Sequence, residues 1–209
     1  MKNDILYLGS ESISRRRLLA TSGIEYKILK HNSDECGVDI EHGFENYVLE
    51  IAKQKMKHLV FPLKEHVEKD YIFILTADTI VVTVKSKKVF GKPKDVNDAK
   101  NMLRMYYKEP VNIITGCCLE KRIFENNNWV IKDKNYWTTN AIVEFLVDEQ
   151  SLDLYFKKIP DILRIAGGVM IEHDFGQQFC KSINGSYSAI IGLPLFELKQ
   201  ALRNMEFRF

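Results

Sequence analysis

No apolar run in this chain approaches the roughly 20 residues that cross a bilayer, and the opening Met1-Lys2-Asn3-Asp4 lacks the apolar core of a secretion signal. The expectation is a soluble, cytoplasmic protein with no membrane partner. Cysteine is scarce. Cys36, Cys117, Cys118 and Cys180 show no metal-ligand spacing, and the adjacent Cys117 and Cys118 would point to opposite faces of an extended segment, so all are read as reduced thiols. The five histidines, His31, His42, His58, His66 and His173, form no spaced pair that suggests a zinc site. Excess charge of one sign is also missing. With 30 Lys and Arg against 28 Asp and Glu, the formal net charge of +2 is too small to imply general nucleic-acid binding. Arg15 to Arg17, or Lys53, Lys55 and Lys57, can still form a local anion site. There is no internal repeat and no low-complexity tract.

What is present suits a globular enzyme: 209 residues, 45% hydrophobic and 28% charged, enough for one domain or two closely joined lobes. The first strand, Ile5 to Gly9, runs into the polar turn Ser10-Glu11-Ser12. A helix over Ile13–Thr21 follows, capped by Ser12 and stopped at Gly23, with Leu18, Leu19 and Ala20 as its apolar surface. A strand at Tyr26–Lys30 leads into the acidic loop Ser33-Asp34-Glu35. The next helix, about Glu45 to Val60, sets Val48, Ala52, Lys55 and Leu59 at helical spacing, which puts a lysine on a mostly apolar stripe. The strand Tyr71–Leu75 then ends at Thr76-Ala77-Asp78-Thr79. A hairpin turning at Lys85-Ser86-Lys87 precedes Gly91-Lys92-Pro93. Asp95 caps a helix to Tyr106 that buries Ala99, Met102, Leu103 and Tyr106.

The middle is β-rich: Val111–Lys121, a turn at Asn126-Asn127-Asn128, Trp129–Lys132 and Tyr136–Val147. Asp148 caps a further helix. Beyond Ala166-Gly167-Gly168 come a strand near Gln177–Ile183, a turn at Asn184-Gly185-Ser186 and a short strand to Ile191. Gly192-Leu193-Pro194 opens the last helix, with Leu195, Leu198, Ala201 and Leu202 on its apolar face. The fold class is therefore mixed α/β with a partly antiparallel central sheet flanked by helices.

A carboxylate at a strand end, beside a lysine on a Gly/Pro turn, suits a polyanion held through a metal and a cation, which makes Asp78 and Lys92 candidates. Asp78 alone reads more readily as an ordinary strand-end turn residue. Lys55 either serves a site or simply extends its ammonium from an apolar stripe. Arg16 and Arg17 fit a solvated helix face.

Joint order and spacing raise these pieces above chance. The run from Gly9 to Leu19, Ala52-Lys53-Gln54-Lys55-Met56, Ala77-Asp78-Thr79, Gly91-Lys92-Pro93, Thr115-Gly116, Ala166-Gly167-Gly168, Asn184-Gly185-Ser186-Tyr187 and Gly192-Leu193-Pro194 together resemble the Maf family of nucleotide pyrophosphatases. These proteins are also called septum-formation inhibitors. The resemblance spans nearly the whole chain and implies a single Maf-like domain over residues 1–209, of the Maf/ITPase-like kind with two lobes and a cleft. It implies hydrolysis of a nucleoside triphosphate to a monophosphate and pyrophosphate with Mg²⁺ or Mn²⁺. It further implies that Asp78 binds the metal or activates water, and that Asp34 or Glu35 adds a second metal carboxylate. Arg15, Lys55 and Lys92 would hold phosphates, while Ser10 and the helix start at Ser12 would donate to the anion. Glu172 would contact the substrate base, accept a metal or simply satisfy a turn.

The pattern also departs from the family: Ser14 stands where many members carry an arginine, Ile165 replaces a lysine, and one extra residue precedes Gly176. Base preference stays open between a branch acting on dTTP and UTP and one acting on 7-methylguanosine triphosphate. A nucleotide-binding regulator of cell division with little turnover is the alternative role. A homodimer is compatible with either.

Overall fold

Three buried apolar residues, Leu6–Leu8, form β1, which pairs in parallel with β2 (Tyr26–Ile28) and with β3 (Tyr71–Thr83). Parallel neighbours require crossovers. α1 (Ile13–Thr21) lies within the first connection and α2 (Phe44–Lys57) within the second. The computed structural model describes residues 3–30 and 40–209. Asp34, Glu35 and Cys36 lie outside the described residues.

β4 (Val89–Phe90) folds back antiparallel on β3, with Val81 opposite Phe90 and Val82 opposite Val89, so the hairpin forms as expected. α3 (Val96–Lys108) starts at Asp95, whose carboxylate accepts from the Asp98 N–H at 2.8 Å, and it buries Ala99, Met102, Leu103 and Tyr106 as its spacing predicts. β5 (Val111–Glu125) and β6 (Asn128–Phe145) are joined through Asn126 and Asn127, with φ of 50° and 60°. Asparagine tolerates this left-handed conformation because its short polar side chain satisfies local backbone groups. α4 (Glu149–Lys158), a single turn α5 (Asp174–Gln177), β7 (Cys180–Gly185), a second single turn α6 (Tyr187–Ile190) and α7 (Leu195–Asn204) complete the chain. β6 and β7 pair antiparallel. The strands follow the order β2-β1-β3-β5-β6-β7, with β4 on β3. The architecture is thus a mixed sheet with helices, as the sequence implied.

Several boundaries differ from expectation for identifiable reasons. Asp78 does not end its strand: β3 continues through it to Thr83, because the β-branched run Thr79 to Thr83 feeds directly into the hairpin. Residues 129–147 hold one long strand in place of two. The segment before Ile191 is the helical turn α6, nucleated when Ser186 accepts from the Ala189 N–H at 3.3 Å, while Asn184 and Gly185 stay in β7. Gln177 belongs to α5. Ala20 is exposed and leaves Leu19 as the buried anchor of α1.

The chain divides into two compact units: unit 1 is Met1–Asp78, Thr115–Thr138 and Gly192–Phe209, and unit 2 is Thr79–Ile114 and Thr139–Ile191. Unit 1 has two cores. One gathers Leu6, Leu8, Leu19, Phe73, Leu75, Ala77, Cys117 and Leu119 with Leu198, Ala201 and Leu202 of α7. The other gathers Tyr7, Ile72, Ile74 and Cys118 with Ala52 and Met56 of α2. Cys117 and Cys118 fall in different cores, as strand alternation requires. Burial pushes the Cys118 thiol up to about 12, so it stays protonated at neutral pH. The core of unit 2 centres on Leu103, Tyr106, Val111, Val143 and Tyr155.

Candidate active site

The same alternation that sorts the cores aims Asp78. Residues 73, 75 and 77 of β3 face α7, and residues 72, 74, 76 and 78 therefore face α2. Along α2, Val48, Ile51, Ala52 and Met56 are buried, and Lys55 shares that side of the helix. The two elements meet where the charges are: Lys55 Nζ donates to Asp78 Oδ1 at 2.8 Å and to Ala77 O at 3.4 Å. The side chains keep only 12% (Lys55) and 15% (Asp78) of their exposure, so the pair is largely shielded without being sealed. Lys55 is thus a partner of Asp78. Lys53 pairs with Glu50 at 2.7 Å, and Lys57 is exposed.

Two packing features hold α2 at the distance this pair needs. Thr76, fully buried, donates from Oγ1 to Ala52 O at 2.7 Å. On β5, Gly116 leaves no room for a side chain: a Cβ there would lie 2.7 Å from the Val48 carbonyl carbon and 2.8 Å from the Leu49 nitrogen. The helix backbone rests on the sheet at that point. Alternation backward from Asp78 marks Thr76 in the sequence as a hydroxyl among Ile72 and Ile74, whereas its bond partner is visible only in three dimensions.

Ser10, Ser12 and Arg15 form a neighbouring cluster in unit 1. Ser12 caps α1 by accepting from the Arg15 N–H at 3.4 Å. Ser10 Oγ accepts from the Ser12 N–H at 3.3 Å and from Arg15 Nη1 at 3.0 Å. With both acceptor positions engaged, donation of its own hydrogen is the chemistry left to Ser10. Arg15 is buried, and its Nε donates to Gly192 O at 2.8 Å, so its guanidinium braces the loop ahead of α7 as well as Ser10. The loop is seated on β3. Gly9 N–H donates to Leu75 O at 2.8 Å, and a Cβ on Gly9 would meet Thr76 Cγ2 at 2.8 Å and Leu59 Cδ2 at 2.6 Å.

Lys92 and Glu172 belong to unit 2. Lys92 is exposed, but its backbone is held on both sides: Gly91 O accepts from the Gly167 N–H at 2.9 Å, and the Lys94 N–H donates to Asp98 Oδ2 at 3.0 Å. Gly167 adopts φ of 77°, and its own carbonyl accepts from Tyr106 Oη at 2.9 Å. Glu172 is half-buried. Burial raises the Tyr155 and Tyr187 hydroxyls above their ordinary range, and the negative charge of Glu172 adds to both.

Among the described residues no group of three or more His, Cys, Asp or Glu gathers as a metal cage. Asp78 is the carboxylate that the described residues place beside Lys55. That donor set fits an ion such as Mg²⁺, which keeps its waters and takes one or two carboxylates together with substrate phosphates. No helix among the described residues is long and apolar enough to cross a membrane.

A family model described as Maf-like protein matches residues 5–205. The chain belongs to that family. Relatives called dTTP/UTP pyrophosphatase are similar along nearly their whole length. That of Colwellia psychrerythraea is 31% identical over 202 residues, covering 97% of this chain and 89% of the relative. That of Acholeplasma laidlawii is 29% identical over 206 residues, covering 96% of each. That of Citrifermentans bemidjiense is 32% identical over 203 residues, covering 97% of this chain and 96% of the relative. This Maf-like chain carries the Asp78–Lys55 pair inside the matched region.

Proposed function

We propose that this chain is a nucleoside-triphosphate pyrophosphatase that cleaves the bond between the α and β phosphates and releases pyrophosphate, with dTTP and UTP as the leading substrates. The observation that carries the reading is the shielded Asp78–Lys55 pair, in a chain whose relatives are named for this activity. Asp78 accepts the proton of the attacking water. Lys55 orients that carboxylate, and its positive charge favours an incoming polyphosphate. The water oxygen forms a new bond to phosphorus, and the bridging oxygen departs with the pyrophosphate. Ser10 donates its hydroxyl hydrogen to a phosphate oxygen, and the first turn of α1 adds backbone N–H dipoles. Lys92 grips phosphate oxygens from its pinned turn, and Glu172 contacts the base. A divalent ion, Mg²⁺ or Mn²⁺, would bind at Asp78 and supply charge neutralisation along the phosphates.

The test is pyrophosphate release from dTTP, UTP, the remaining common triphosphates and 7-methylguanosine triphosphate, each with Mg²⁺, with Mn²⁺ and with excess chelator. Release that is fastest from dTTP or UTP and abolished by chelator is expected. Nucleotide binding in calorimetry with no pyrophosphate from any triphosphate overturns the reading.

A further inference from the structure

Thr76 takes no part in the chemistry above, and a buried strand position flanked by Ile72 and Ile74 does not need a hydroxyl. An apolar β-branched residue would fill the space with no polar group to satisfy. The hydroxyl donates to Ala52 O at 2.7 Å, with the Cys118 thiol of β5 as a second neighbour. That carbonyl lies inside α2, where the helix already offers it the N–H four residues on, so Thr76 adds a second bond to it. The placement carries the meaning. Ala52 precedes Lys55 by three residues, just under one helical turn, and Thr76 precedes Asp78 by two, one repeat of the strand. The bond therefore ties together the two elements that hold the ion pair, one step back from it on each. Gly116 removes the side chain that would otherwise prop α2 off the sheet nearby.

We propose that Thr76 is a positioning residue for turnover: by bonding Ala52 O it fixes the register of α2 against β3 and so sets the reach of Lys55 to the Asp78 carboxylate. This rests on the reading that Lys55 and Asp78 act in catalysis. A lysine has four rotatable bonds, so an α2 free to shift would still allow a contact with Asp78 while degrading its orientation at the reacting water. The larger consequence belongs to kcat, since Ser10, the first turn of α1 and Lys92 also hold the phosphates and limit the change in KM.

The experiment is a double-mutant cycle with dTTP and Mg²⁺. Thr76→Val removes the hydroxyl at nearly constant shape, Thr76→Ser restores it, and each is combined with Lys55→Ala; thermal unfolding confirms that every variant is folded at the assay temperature. Thr76→Val is expected to lower kcat roughly two- to tenfold, the scale of one net hydrogen bond, with KM within about twofold. Thr76→Ser returns kcat to near wild type. In the Lys55→Ala background Thr76→Val has no further effect, because the residue through which it acts is gone. If valine is not tolerated, Thr76→Ala takes its place in the cycle. Wild-type kcat in Thr76→Val, or the same fractional loss in both backgrounds, overturns the inference. Lys55→Ala with wild-type kcat overturns the catalytic reading itself, and this inference falls with it; the two failures are distinguished by that single variant.

Discussion

Two aspartate–lysine pairs of unit 1, Asp4–Lys69 and Asp78–Lys55, differ in everything except composition. At the chain ends, Asp4 is buried and saturated: its carboxylate accepts from Lys69 Nζ, from Tyr71 Oη at 2.9 Å and from the Arg208 N–H at 2.8 Å, while its own N–H donates to Arg208 O at 2.8 Å. Asp78 takes one lysine, Lys55, at 2.8 Å and retains some exposure. A carboxylate surrounded by donors joins segments together, here the N-terminus, β3 and the C-terminus. A carboxylate with one cation and an open side can exchange protons and accept an ion. The identity of the pair does not separate structure from function; the number of donors around the carboxylate does.

The largest expected effect is at Asp78. Asp78→Asn keeps the shape and an oxygen for Lys55 but removes the base, and kcat for pyrophosphate release should fall by about 10²-fold or more. The unfolding midpoint should fall, since the shielded Lys55 ammonium keeps an acceptor but loses its counter-charge, while the variant stays folded at the assay temperature. Turnover at the wild-type rate would remove Asp78 from the mechanism and end the contrast with Asp4.

Asp4→Asn should act on stability alone. Burial would raise the Asp4 carboxyl, but hydrogen bonds from Lys69, the Arg208 N–H and Tyr71 outweigh it, and the folded-state value lies below the ordinary one. A depressed carboxylate stabilises the fold above its unfolded value, near pH 4, and that contribution is lost as pH falls through the lower folded value. The variant should therefore be less stable by about 2 kcal/mol at neutral pH, with the gap to wild type closing in acid, while kcat at permissive temperature is unchanged. Denaturant melts at pH 7 and below pH 4 decide this. A pH-independent gap would mean that packing, and not the ionised carboxylate, holds the chain ends.

The legibility of these two pairs from sequence is unequal for a physical reason. Lys55 sits in a periodic element, so the 3.6-residue repeat of α2 marks its place on the apolar stripe from sequence, whereas Asp78 reads there as a strand-end carboxylate and its inward aim follows only from β3 running through it. The helix caps at Ser12, Asp95 and Asp148 were equally readable, because a cap depends on residues within one turn. Asp4 gives no such signal. Its partners lie 65, 67 and 204 residues away, and nothing local in Met1 to Ile5 points to them. Arg15 was legible as a matched position but not as a brace, since its bond to Gly192 O spans 177 residues. β3 runs through Asp78 where the sequence suggests an end, because the polar step Thr76-Ala77-Asp78-Thr79 looks, over a short window, like the close of a strand.

A third acid–base pair shows how far proximity alone goes. In unit 2, Arg104 of α3 meets Glu149 of α4 through both Nε and Nη2, a two-pronged contact. Their side chains remain 46% (Arg104) and 64% (Glu149) exposed, so water solvates both charges before and after contact, and salt screens what is left. Hydrogen bonding from Arg104 holds the Glu149 carboxyl below its ordinary range, so the group is ionised throughout the neutral range in either state of the chain. Glu149→Gln should leave the unfolding midpoint and the rate of pyrophosphate release unchanged at physiological salt, with a small loss of stability emerging only at low ionic strength. A shift at physiological salt as large as that of Asp4→Asn would mean that solvent exposure does not rank these pairs, and the distinction between the saturated tie at Asp4 and the open carboxylate at Asp78 would need another basis.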